Sequence, residues 1–194
     1  METYITQEET RITRAKTAQP MMWVGIVGII MLFAGLTSAY VVRQAEGNWL
    51  YFDLPYTFYI STIVIVISSF TMGLAQWAIA KGNTSFTTWM LLSTLGLGIA
   101  FAWLQFSAWG ELVDAGVFFA GRESNPAGSF LYTLSGLHLA HLAGGLIALV
   151  FTSVKAIMKK YSATDHTGIG VVATYWHFLD ILWIYLLLFL VFIR

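Results

Sequence analysis

The stretch Tyr175-Trp176-His177-Phe178-Leu179-Asp180-Ile181-Leu182-Trp183 opens the last of several long apolar segments in this chain. A His, an Asp and two Trp sit there in a run otherwise suited to hydrocarbon. An ionised carboxylate at the centre of a bilayer helix costs roughly 2.5–3.5 kcal/mol on insertion scales, so a charge in such a place points to function. Whether the segment crosses a membrane is decided by the rest of the chain.

Composition answers that question. Of 194 residues, 58% are hydrophobic and only 10% charged, and the mean hydropathy is +0.72. A soluble domain carries about 25% charged residues. Lys+Arg and Asp+Glu balance at 10 each, so no basic excess points to a nucleic-acid partner. The chain has no Cys, which removes disulfides and thiolate metal sites from consideration. Glu8, Glu9, Arg11, Arg14 and Lys16 make the first twenty residues polar, with no apolar core of a signal peptide. Residues 1–20 read as a polar cytoplasmic tail and 21–194 as one transmembrane domain, whose first span is expected to serve as its own anchor.

Five stretches are long enough to cross ~30 Å of hydrocarbon, which takes about 20 helical residues. They lie near 21–42, 55–79, 87–109, 129–153 and 174–193. Breaks between them carry Gly, Asn and Lys, as at Lys81-Gly82-Asn83. Pro20 and Pro55 are placed at helix starts, where a missing N–H is harmless. Transmembrane β-strands do not fit segments this long that lack a two-residue alternation. The expected fold is an all-α membrane protein, a five-helix bundle. With the N-terminus cytoplasmic, Arg11, Arg14, Lys16, Lys81, Lys155, Lys159 and Lys160 lie inside, and only Arg43, Arg122 and Arg194 outside. That asymmetry predicts a cytoplasmic N-terminus and a periplasmic C-terminus.

Small residues predict helix contacts. Gly136, Ala140, Gly144 and Ala148 recur every fourth position on the fourth span, a seam that permits close backbone approach. Gly35 and Ala39, and Gly96 and Ala100, repeat the spacing on the first and third spans. No internal repeat is evident, which weighs against a transporter built from inverted halves.

The run from Tyr175 to Trp183 resembles the YWHFxDxxW signature of subunit III of the haem-copper respiratory oxidases. Gly136-Leu137-His138-Leu139-Ala140-His141, followed by Gly144, resembles the same family's TGFHxxH segment, and Gly128-Ser129 its helix start. Leu54-Pro55 with Ser68-Ser69, and Met31 through Leu36 with Tyr40 through Arg43, are similar to two earlier conserved helices. The likeness covers nearly all of the chain from about residue 25. Three features depart from the pattern. The typical member has seven spans, and the first two, one wall of its lipid-filled cleft, have no counterpart here. The Ser-Glu pair of the family's third helix falls at Gly28 and Ile29, and the acid of its QxxE element is Ala108, between the matching Gln105 and Trp109.

Helical rise places the polar residues by depth. At 1.5 Å per residue, Asp180 lies roughly 8–9 Å from the inner face, while His141 and Ile29 lie about 12 Å from it. The expectation is one polar layer, with His141 and His177 facing Asp180. His177 and Asp180 are three apart and share a helix face, as do His138 and His141. Trp176 and Trp183, seven apart, read as packing or interface anchors. Metal ligation by the His pair lacks a third ligand. A dihaem arrangement needs more axial His than His138, His141 and His177 supply. His166, in the basic loop, is expected to be solvated.

The resemblance implies an accessory subunit of a bacterial inner-membrane cytochrome c oxidase, which reduces O2 to water and pumps protons. It implies no catalytic, cofactor-binding or metal-ligating residue in this chain, with haem and copper in partner subunits. The implied partners are subunit I as the main contact, subunit II, and phospholipid; cytochrome c would meet the complex and not this chain. Within the superfamily, a quinol oxidase subunit or a nitric oxide reductase accessory subunit is the alternative. A small transporter would need a continuous polar path, and a haem-binding carrier would show its own spectrum.

Overall fold

Long apolar runs form helices because hydrocarbon offers no partner for a backbone N–H or C=O, and a helix satisfies both within one segment. A computed structural model describes residues 2–162 and 166–193, with side chains from residue 17 onward. The side chains of Arg11, Arg14 and Lys16, and Arg194 itself, all counted above for orientation, lie outside the described residues. Five helices follow in order: α1 Glu2–Ala45, α2 Tyr56–Ala80, α3 Thr84–Asp114, α4 Pro126–Ile157 and α5 Thr167–Phe192. All five are long and apolar enough to span a membrane, and no strand occurs among the described residues.

The expected spans at 21–42, 87–109 and 129–153 lie inside α1, α3 and α4, which continue beyond them. That at 55–79 is within one residue of α2, and α5 begins seven residues before 174 and ends one short of 193. Asn83 starts α3, its side chain accepting from the Phe86 N–H at 3.1 Å. Asn125 starts α4, accepting from Ala127 N–H at 3.0 Å with Pro126 in the first turn. Its amide also accepts from Leu50 N–H and donates to the Asn48 carbonyl, tying the 46–55 loop to α4. Pro20 corrects the sequence reading: it lies inside α1, not at its start. Polarity marks where the membrane ends, and the helix runs on through polar residues despite the bond that Pro withholds.

α5 is the hub of the bundle. Half of its membrane window is buried (50%), against 22–33% for the other four helices. α2 and α3 form an antiparallel hairpin across the three-residue turn at Gly82, whose φ of +79° suits a residue without Cβ. α5 packs on α1, α2 and α4, whereas α1 packs on α4 and α5 alone among the described residues. Trp176 and Trp183 are the largest fully buried side chains.

The close approaches fall at glycines other than the predicted seam. A Cβ on Gly98 of α3 would stand 2.7 Å from the Trp176 ring and 2.9 Å from Leu146. One on Gly145 of α4 would stand 3.2 Å from Leu179 and 3.4 Å from Trp176. In the seam, Ala140 and Gly144 are exposed, Gly136 meets Trp109 at 3.7 Å, and Ala148 packs at the edge of the core. Gly35, Ala39, Gly96 and Ala100 are exposed too. A four-residue repeat identifies a helix face, but in hydrocarbon apolarity does not separate an inner face from an outer one. Gly98→Ala is therefore expected to lower the thermal midpoint in detergent. Overpacking costs about 1–3 kcal/mol, against roughly 1 kcal/mol gained in helix propensity, and the Trp176 ring is pinned. Gly144→Ala should leave the midpoint unchanged or raise it.

Candidate functional site

The signature on α5 is read by hydroxyls on α2. The Trp176 indole N–H donates to Ser68 Oγ at 2.9 Å, wholly inside the protein. One residue on, His177 Nδ1 and Ser69 Oγ are 2.6 Å apart. Two turns further along α5, the Trp183 indole donates to Thr62 Oγ1 at 3.0 Å. Three successive bonds thus clamp two antiparallel helices along one seam. Ser61, also on α2, accepts from Gln105 Nε2 of α3 at 2.9 Å. The Trp109 indole on α3 reaches Ser135 of α4 at 3.1 Å.

Asp180 lies deep in this layer, 2% exposed. Neither carboxyl oxygen has a hydrogen-bond or ion-pair partner among the described residues. The Ser69 hydroxyl interacts with it without reaching hydrogen-bond geometry. The expected pairing of Asp180 with His141 is not made. His141 turns toward α1, its ring 5.8 Å from that of Phe33. Its Nδ1 sits 2.8 Å from the Leu137 carbonyl of its own helix. Depth places the two residues in one layer, but the rotation of α4 sets which neighbour the imidazole meets. Ile29 packs at the edge of the core, where the family's acid would stand.

His138 is completely enclosed. Its ring lies 5.1 Å from Trp183 and 6.0 Å, edge to face, from Phe101, and neither nitrogen has a partner. The three intramembrane His residues therefore meet different surroundings: an aromatic cage for His138, Phe33 for His141 and Ser69 for His177. No group of three His, Asp or Glu converges among the described residues. His166, expected in solvent, is half-buried at the start of α5 with Nδ1 screened. Thr62, Ser61 and Gln105 were not singled out for bonding roles from sequence. The sign available was spacing: Ser61 and Ser68, and Thr62 and Ser69, are each seven apart on one stripe of an apolar helix.

A family profile described as cytochrome c oxidase subunit III matches residues 51–193, which hold the whole clamp. The chain belongs to the cytochrome c oxidase subunit III family. A probable cytochrome c oxidase subunit 3 of Mycobacterium tuberculosis is 34% identical over 176 residues, covering 85% of this chain and 82% of the relative. The corresponding protein of Nocardia farcinica is 33% identical over 201 residues, covering 98% and 95%. Subunit 3 of a cytochrome bo(3) ubiquinol oxidase from Pseudomonas aeruginosa is 29% identical over 167 residues, covering 84% and 78%. This subunit III is therefore a multi-pass membrane protein that associates with other subunits of a haem-copper oxidase complex.

Two double-mutant cycles separate the observed pairing from the one expected by depth. Ser69→Ala and His177→Ala should couple by about 1 kcal/mol in unfolding free energy measured in mixed micelles. Asp180→Asn and His141→Ala should add within about 0.5 kcal/mol.

Proposed function

We propose that this subunit III serves a bacterial inner-membrane terminal oxidase that takes electrons from cytochrome c, reduces O2 to water and pumps protons. Its own part is supportive and non-redox. It packs mainly on subunit I, with subunit II in the same complex, retains phospholipid and shields the lipid route by which O2 arrives. The observation that carries this reading is the use made of the signature residues. Trp176, His177 and Trp183 are spent on holding α5 to α2, and none is turned toward a shared centre. The exposed stripe of Ala140 and Gly144 leaves a smooth face on α4 suited to a partner helix.

The choice of donor is supported by the relatives: those at 33–34% identity carry the cytochrome c oxidase name. A quinol oxidase is the second reading, favoured by the ubiquinol oxidase relative at 29%. The cytoplasmic N-terminus is supported by charge. Lys81, Lys155, Lys159 and Lys160 lie at one end of the bundle, the end from which α1 enters with Glu8, Glu9, Arg11, Arg14 and Lys16. Arg43 and Arg122 share the other end with Glu46, Asp53, Glu111, Asp114 and Glu123.

Affinity purification through a tag on this chain, in mild detergent, tests the assignment. Haem and copper should co-purify in larger chains, with O2 uptake driven by reduced cytochrome c. Uptake driven by quinol alone would select the second reading, and a colourless, self-contained protein would overturn both. Asp180→Asn is expected to shorten the lifetime of activity during turnover several-fold while haem per complex stays constant. Loss of haem with normal assembly would contradict a supportive role.

A further inference from the structure

At the lysine-bearing end of the bundle, the start of α3 and the end of α4 stand apart around an open cleft of about 270 Å³. Its rim carries Thr84, Ser85 and Lys159, and its apolar wall includes Leu92 and Ile157. Trp89 flanks the mouth, 69% exposed. The cleft lies away from the clamp between α2 and α5, and nothing in the supportive role described above calls for it.

Each part of the lining has a chemical preference. Lys159 directly follows the last turn of α4, its N–H donating to the Ala156 carbonyl at 2.9 Å. Its ammonium has no acidic partner among the described residues, and neither do those of Lys155 and Lys160. Lys81, at the same end, is occupied differently, over the Trp77 ring at 4.0 Å. The hydroxyls of Thr84 and Ser85 donate to nothing among the described residues, unlike that of Thr88, which returns to the Thr84 carbonyl at 2.9 Å. Two spare hydroxyls and an uncompensated ammonium on one rim suit a phosphate. The positive end of the α3 backbone dipole adds to them. Below the rim, Leu92 and Ile157 suit methylene groups, and an indole at a helix end is at home at headgroup depth. A free phosphate ion would engage the rim and leave that wall uncovered. A headgroup of net negative charge uses both, and lysines without an acidic partner among the described residues favour it over a zwitterion.

We propose that the cleft between α3 and α4 seats an anionic phospholipid, its phosphate among Lys159, Ser85 and Thr84 and its first acyl carbons against Leu92 and Ile157. This deepens the lipid retention proposed above by giving it a place and a headgroup charge. Its test reads lipid occupancy, not oxygen uptake, so its failure would leave the oxidase assignment standing.

The complex, purified through this chain and stripped of lipid with detergent, is offered phosphatidylglycerol or phosphatidylcholine, and retained lipid on this subunit is read by native mass spectrometry. The wild type should retain phosphatidylglycerol several-fold better than phosphatidylcholine. Lys159→Gln and Ser85→Glu should each remove most of that preference, and Lys159→Arg should keep it. Lys81→Gln, outside the cleft at the same end, should change nothing. Both altered side chains of the cleft are exposed, and the thermal midpoint of each variant confirms that it has folded. Equal retention of the two lipids by the wild type would overturn the proposal. So would unchanged preference in Lys159→Gln and Ser85→Glu, or an equal loss in Lys81→Gln, which would mark diffuse charge and not a site.

Discussion

Hydrocarbon cannot hydrogen-bond, and that constraint holds α5 in place. Apolar helices in lipid gain little from one vertical register over another, because tails and side chains are alike in polarity. The bonds from Trp176 to Ser68, from His177 to Ser69 and from Trp183 to Thr62 remove that freedom. Sliding α5 by one turn, about 5.4 Å, would break all three, at about 1 kcal/mol each or more where a polar group is left stranded. The register in turn decides where Trp176 enters the bundle. Its ring fits because Gly98 and Gly145 present no Cβ on the two helices facing it. Hydroxyls on α2 and glycines on α3 and α4 are thus two halves of one arrangement.

The architecture was legible because a bilayer leaves few options. A run of twenty apolar residues has one stable backbone form in lipid, so five runs meant five helices. Helix ends were less legible because polarity reports the membrane boundary and not the last hydrogen bond. Asn83 and Asn125 stop and start helices several residues outside the apolar runs, and Pro20 is absorbed into α1. Asn125 had a readable sign in the Pro that follows it. Pro20 carried the same sign and it was misleading, since a Pro compatible with the first turn is also tolerated in a long membrane helix.

The site was legible in its members and not in its pairings. Rise per residue gave depth well enough to place His141, His177 and Asp180 in one zone. Pairing depends on rotation about the helix axis, and a polar residue in a membrane helix can satisfy itself locally. His141 does so on the Leu137 carbonyl, as Thr37 does on Phe33. Ser and Thr are therefore poor signals singly, because each can return to a carbonyl one turn back. What marks the hydroxyls at helix contacts is a second bond: Thr62 donates to the Phe58 carbonyl and also accepts from Trp183, as Thr37 also accepts from Tyr185. The small-residue seam fails for a related reason. Where solvent and core are both apolar, Ala140 and Gly144 carry no mark of inside or outside.

The interior arrangement bears on what the chain does. A transporter needs polar groups that connect one face to the other, with room between them. Here the deep polar groups are divided by large rings. Phe58, Trp183 and Phe101 stack between α2, α3 and α5 with centroids 5.2–5.8 Å apart, and His138 is pressed against the last two. Phe58, Phe101 and Trp183 are each no more than 1% exposed. Asp180 sits in the same closed interior, 2% exposed and without a bonding partner among the described residues. A buried acid enclosed this way does not by itself make a conduit. On the reading proposed above, influence on a redox partner then passes through the faces this subunit presents and the lipid proposed to lie between α3 and α4.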